Sequence, residues 1–291
     1  MRIYDGFKFK EQDQKIIDNY MAFRSGHSDK TVITNISGIR IFMRFHKNKT
    51  FDEISLEDVI EFYRKHESSE NTKIQYLSRL TLFYNWGISE NYFLRNPVEK
   101  FLVTLRKSKK EREYLTKEQT NYLLSNVFEY EYRLFLMFFL HTGVRNSEFR
   151  NLKIHDVDMD ERTIRILGKG RKERYVFIDN ELYSYLKIWL IQRDSKFPKS
   201  DHFFVNRLGN PIRLTHLVSF TDYLNEVSKN KIGFRITPHI LRHTFATRCI
   251  DMGMDLKTLS LILGHEDIKT TSIYLHKNKE SLKREFLRVM N

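Results

Sequence analysis

One cysteine, Cys249, is all that the 291 residues contain, which excludes an internal disulfide and a cysteine-based zinc cluster. Long apolar runs are missing as well. The longest, Leu134 to Leu140, falls far short of the roughly 20 residues that cross a bilayer and reads as a buried helix. The first residues, MRIYDGFKFKEQDQ, have neither an apolar h-region nor a small-residue cleavage site, so secretion has no support and a cytoplasmic location is the expectation. Acidic residues are in deficit: 37 Asp and Glu stand against 50 Lys and Arg, a net charge of +13, with a pI near 9.6. Such an excess points to a polyanionic partner, and nucleic acid fits better than membrane because no amphipathic cationic tail dominates. Charge for simple solubility is the bland alternative. No internal repeat and no low-complexity tract is present.

What is there is a folding sequence. Hydrophobic residues make up 41% and aromatics 14% of a length that suggests about two domains. Ile16, Ile17, Tyr20 and Phe23 form one helical stripe, and Val32, Ile36, Ile39 and Met43 form a second. Ser55 with Asp58 opens a third helix as a capping box ahead of Val59, Phe62 and Tyr63, and Ile74, Leu77, Leu80 and Tyr84 mark a fourth. These predict an all-helical bundle ending near Asn96-Pro97. Residues 105–113 then read as a basic linker, in which Arg106, Lys107, Lys109, Lys110 and Arg112 either form a solvated face or lie along a phosphate backbone.

The remainder opens at Thr116 and Glu118 with further helices through Leu140. TIRIL and ERYVFID alternate apolar and polar positions around GKGRK, which predicts a β-hairpin. Helices follow around Leu182 to Gln192 and Thr215 to Val227, and Pro238 opens another behind Thr237 as N-cap. The fold class is therefore mainly α, with a small β-sheet in the C-terminal part.

Several residues suit chemistry on a phosphate. His239 and Arg242, three apart near a helix start, would share a face able to hold an anion, although an isolated HxxR pair reads far more readily as an ordinary surface helix. His239 and His243 at i, i+4 resemble half a zinc site, but Ile240 stands where HExxH needs its glutamate and no third ligand is evident, so no metal is expected and His243 reads as structural. Arg145 lies just past the turn at Gly143, where a lone arginine commonly pairs with a carboxylate such as Glu148. Lys169 sits between glycines at the hairpin tip, a place where lysine also serves solubility. Tyr274 follows His265 by nine positions; its phenol, with a pKa of about 10, attacks only if cations stabilise its oxyanion or a base removes its proton. Alone it would be a half-buried aromatic beside Ile273 and Leu275.

Taken in order, TGVRNSE, GKGRKER, TPHILRHTFAT and LGHEDIKTTSIY resemble the catalytic half of the tyrosine recombinase, or phage integrase, family, in its Xer-like form. NTKIQYLSRLTLFYNW resembles part of that family's core-binding domain. The resemblance implies a helical, SAM-like core-binding domain over residues 1–104, the linker at 105–113 and an α+β catalytic domain over 114–291. It implies that Arg145 and Arg242 clamp the scissile phosphate, that His239 and His265 donate to it or take the tyrosine proton, and that Lys169 is the general acid. Tyr274 would be the nucleophile of a 3′-phosphotyrosyl intermediate, needing neither ATP nor metal; Lys172 remains a neighbour of Lys169 on the same tip. It further implies double-stranded DNA with paired half-sites as partner, a dimer on each site and a synaptic tetramer. The tail KNKESLKREFLRVMN would dock head to tail through Leu282, Phe286 and Val289, unless it packs on its own domain. An accessory DNA translocase is a further possible partner. No extra N-terminal arm-binding domain is evident, which together with the short tail favours a Xer-type resolvase over the integrase of a virus or mobile element. A non-catalytic DNA-binding regulator and a type IB topoisomerase are the other readings.

Overall fold

The computed structural model describes residues 7–26, 29–105, 113–168, 173–264 and 279–290. The chain separates into two compact units, Met1–Lys110 and Glu111–Asn291, each treated by itself below.

The first unit is helical: α1 (Glu11–Phe23), α2 (Asp29–Phe45), α3 (Leu56–Lys65), α4 (Glu70–Ser89) and α5 (Glu99–Thr104). The four sequence stripes supply its interior, with Ile17, Tyr20, Ile36, Ile39, Met43, Val59, Phe62, Leu77, Leu80 and Tyr84 all buried. Phe23 departs from the pattern. At the last turn of α1 it is 60% exposed and meets only the rim of the core, with Trp86 at 5.9 Å between ring centroids. The capping box forms as expected, Ser55 N donating to Asp58 Oδ2 at 2.8 Å and Ser55 Oγ accepting from Asp58 N at 3.4 Å. The bundle does not end at Pro97. Asn96 Oδ1 accepts the Val98 amide at 2.9 Å, an Asx turn that restarts the chain as α5 and returns Phe101 and Leu102 to the core.

The second unit is built on α7 (Tyr130–Thr142), whose residues Leu134 to Thr142 are all buried. Around it stand α6 (Lys117–Asn126), α8 (Asn146–Asn151), α9 (Asn180–Ser195), α10 (Leu214–Val227), α11 (Pro238–Asp251), α12 (Leu256–Leu263) and α13 (Lys279–Met290). Helices α9 and α11 pack directly on α7. A buried hydrogen bond ties the end of α7 to the start of α9: His141 Nδ1 lies 2.5 Å from Asp179 Oδ2, and Asp179 Oδ1 caps α9 through the Leu182 amide at 2.9 Å. Burial alone would raise the Asp179 pKa; the His141 bond, the Leu182 amide and the Arg248 charge together outweigh it and hold the carboxyl below the ordinary value. Thr237 caps α11 with Pro238 in its first turn, as the sequence predicts.

The predicted hairpin is β2 (Thr163–Leu167) and β3 (Glu173–Phe177), and the short β1 (Val157–Asp158) adds a third antiparallel strand beside β2. Ile164 pairs with Val176 and Ile166 with Arg174. Ile164, Ile166 and Val176 are buried, and so is Phe177 on the opposite phase of β3. Simple alternation leaves that face to solvent; instead α13 covers it, with Phe286 and Phe177 at 5.6 Å between ring centroids.

Candidate active site

The site begins where α7 stops. Gly143 takes φ 60°, and a Cβ there would lie 2.3 Å from Phe245 Cδ1, so conformation and space both call for glycine. The turn aims the Gly143 carbonyl at Arg242, whose Nη1 donates to it at 2.6 Å. Arg145 follows as N-cap of α8, one turn ahead of Glu148. Glu148 Oε2 accepts the Arg145 amide at 2.7 Å and Glu148 Oε1 accepts Arg145 Nη1 at 2.8 Å. The pairing expected of Arg145 is thus made twice by one carboxylate.

A third arginine, which the sequence reading did not single out, completes the cluster. Arg174 grips Glu148 with Nη1 on Oε1 at 2.8 Å and Nη2 on Oε2 at 2.7 Å. The signal was present: Arg174 shares the phase of Val176 and faces Ile166 across the ladder, so a guanidinium occupies an inward position of a buried strand. Buried charge on such a face needs a partner brought by the tertiary fold.

All three arginines converge on the C-terminal end of α12. Arg174 Nε donates to Ile262 O at 2.8 Å, Arg242 Nη2 to Leu263 O at 2.7 Å and Arg145 Nη2 to Gly264 O at 2.9 Å. Among the described residues these carbonyls have no intrahelical donor, and they lie at the negative end of the helix dipole, which suits cations. Gly264 ends the helix at φ 64°, and His265 is the next residue in the sequence.

The exposures differ in a useful way. The Arg174 side chain is 10% exposed and Glu148 5%, whereas Arg145 is 40% exposed. Arg242 is buried. Its pKa falls to about 10, chiefly through burial and then through Arg145 and Arg174, with Glu148 opposing. Burial would raise Glu148, but the bonds and charge of Arg174, reinforced by Arg145, hold it at about 2. Three guanidiniums around one carboxylate leave a net excess of two positive charges, a setting for a dianionic or developing negative centre.

His239 is exposed in the first turn of α11, one turn before the buried Arg242. His243 is structural, its ring stacked on Tyr114 at 6.0 Å and its Nδ1 lying 3.4 Å from Thr247 Oγ1. Lys169, Lys172, His265 and Tyr274 lie outside the described residues, as do Arg106, Lys107, Lys109, Lys110 and Arg112. The described residues therefore bring Arg145 and Arg242 together, while His239 is exposed. One trio of metal-capable groups occurs among them, His46, Asp58 and Glu61 in the first unit. Lys49 Nζ already sits 2.7 Å from both Asp58 oxygens, supplying the positive charge there.

Comparison with known proteins bears on this cluster. The model of the Phage integrase family matches residues 113–281. The tyrosine recombinase XerC of Leptospira interrogans is 30% identical over 92% of this chain and 89% of its own. The crystal structure of XerA recombinase matches with a TM-score of 0.50 at 27% identity, covering 95% of this chain and 99% of that one. The Tn1549 transposon integrase in complex with circular intermediate DNA shares the fold at a TM-score of 0.71 and 21% identity, over 92% of this chain and 96% of that one.

Proposed function

Since the chain belongs to the phage integrase family, we propose that it is a tyrosine site-specific recombinase, cutting and rejoining double-stranded DNA without ATP or metal. The observation that carries this reading is the gathering of Arg145, Arg174 and Arg242 around Glu148 at the end of the helix that leads, in sequence, to His265 and Tyr274.

In the proposed reaction the Tyr274 oxygen attacks the scissile phosphorus, a 3′-phosphotyrosyl ester forms, and the 5′-oxygen of the next nucleotide leaves. Arg145, the most open of the three arginines, would take a non-bridging oxygen. Arg242 would contribute its charge from behind and reach the phosphate with guanidinium hydrogens beyond the two engaged by carbonyls. Lys169 would protonate the leaving oxygen; His239 and His265 would donate to the phosphate or accept the phenol proton. Attack of the freed 5′-hydroxyl reverses the step on a new partner, so the phosphodiester energy is kept.

The resemblance to Xer enzymes supports resolution of DNA dimers over integration. It also supports a dimer on each site and a tetramer in synapsis, with α13 docking in a neighbour and a DNA translocase as regulator. Within the single chain α13 lies against β3 of its own unit, so docking in a neighbour requires its release. The basic residues 106–112 and Lys172 would follow the phosphate backbone. The domain limits 1–104, 105–113 and 114–291 belong to the same proposal.

The test is a pool of nicked duplexes tiled across the source genome, in which the nick traps cleavage. The unaltered chain forms a covalent adduct that survives a denaturing gel; Tyr274→Phe binds the same duplex and forms none; chelator leaves the yield unchanged. Binding without any adduct in the whole pool would instead support a DNA-binding regulator. Cleavage mapped to one symmetric half-site pair fits resolution, and dissimilar partner sites fit integration.

A further inference from the structure

The geometry points to Arg174 as a positioning residue for strand cleavage: its two-pronged hold on Glu148 fixes Arg145 and leaves Arg145's charge available to the phosphate. This inference rests on the strand-cleavage reading above.

Glu148 is the only described group that bonds both the backbone and the guanidinium of Arg145. It orients Arg145 well, but a carboxylate also neutralises the cation it orients. With Arg145 as its sole partner, the pair would approach electrical neutrality and present little field to an incoming phosphate. Arg174 changes that balance. It supplies a second positive charge from the buried side of the same carboxylate, so that the more exposed Arg145 keeps an excess toward solvent.

Placement on a strand makes the hold rigid. Arg174 belongs to β3, paired residue by residue with β2, and its third donor ties it to Ile262 O in α12. One guanidinium thereby locks three elements, β3, α8 and α12, and two of them carry or precede groups assigned to the reaction. Gly264 packs against it so closely that a Cβ would lie 2.9 Å from Arg174 Cδ. Fold stability alone is a weak reason for such a residue, since apolar replacement of a well-buried ion pair is often neutral or stabilising.

The experiment measures single-turnover adduct formation, and separately DNA affinity, on a nicked duplex that the unaltered chain cleaves. Arg174→Gln slows adduct formation about 100-fold, the scale of a misplaced catalytic group, while the dissociation constant moves by less than about threefold. Arg174→Lys, which restores the charge but not the three directed bonds, recovers part of the rate. The decisive readout is coupling. Arg145→Ala slows cleavage by about a hundredfold or more, and adding Arg174→Gln to it slows cleavage further by less than about threefold, because Arg174 acts through Arg145. A purely structural role gives multiplying losses instead, and that result, or an undiminished rate in folded Arg174→Gln, overturns the inference. If Arg174→Gln does not fold, folded Arg174→Lys cleaving at the unaltered rate overturns it equally. An unaltered chain that forms no adduct on any duplex refutes the cleavage reading itself, and this inference with it.

Discussion

Two buried carboxylates, one in each unit, are driven in opposite directions by their surroundings. Glu148 has four hydrogen bonds from two arginines and stays ionised down to about pH 2. Asp13 is 2% exposed and accepts one amide, from Phe51 at 3.3 Å. Burial pushes its carboxyl up to about 6; the Phe51 amide opposes this, and Asp52 and Glu53 add to it. The sign of the consequence follows. Between its unfolded pKa near 3.8 and its folded value near 6 the native state binds the extra proton, so stability falls as pH rises through that window. Asp13→Asn keeps an oxygen for Phe51 and removes the charge. Thermal unfolding should show it more stable than the unaltered chain by about 1–3 kcal/mol at about pH 7.5 and indistinguishable near pH 4. A stability gain at both pH values would locate the effect elsewhere.

At the scale of elements, β3 is the member on which the second unit's chemistry and packing meet. Its Val176 faces one layer, its Phe177 faces α13, and its Arg174 reaches α8 and α12. Phe286 of α13 lies fully buried between Phe177 and Phe245, at 5.6 Å and 6.5 Å. Phe286→Ala should lower the unfolding free energy by about 3–5 kcal/mol in denaturant titration. A change below about 1 kcal/mol would mean that α13 does not hold this position in the free chain.

Which elements were legible in the sequence follows the range of the interactions. Ser55 with Asp58, Thr237 with Pro238, and the TIRIL and ERYVFID alternation are local signals, and the elements stand where those signals put them. α13 covering Phe177 and α12 ending on three arginines depend on residues far apart in sequence, whereas the Asn96 turn that restarts α5 reaches only Val98. Arg174 lies 26 residues from Glu148 and 88 from Ile262, so strand phase could say only that a charge pointed inward. The pairing of Arg145 with Glu148, three residues apart, was legible for the same reason that Arg174 was not. Spacing puts His239 and Arg242 one turn apart on α11 but does not say that one is exposed and the other buried.

Over the whole molecule, the net charge of +13 gives the proposed DNA affinity a definite salt response. The logarithm of the association constant should fall linearly with the logarithm of salt concentration, by about 0.9 for each phosphate neutralised. A flat response in a titration would detach the charge from DNA binding. No described helix is long and apolar enough to cross a membrane. The central claim is narrower than binding: gathered cations let one phenol displace a sugar oxygen from phosphorus. Nuclease digestion of the trapped adduct followed by peptide mass spectrometry tests it most directly. The account predicts a nucleotide joined through its 3′-phosphate to the peptide containing Tyr274. Attachment to another residue, or through a 5′-phosphate, would contradict it.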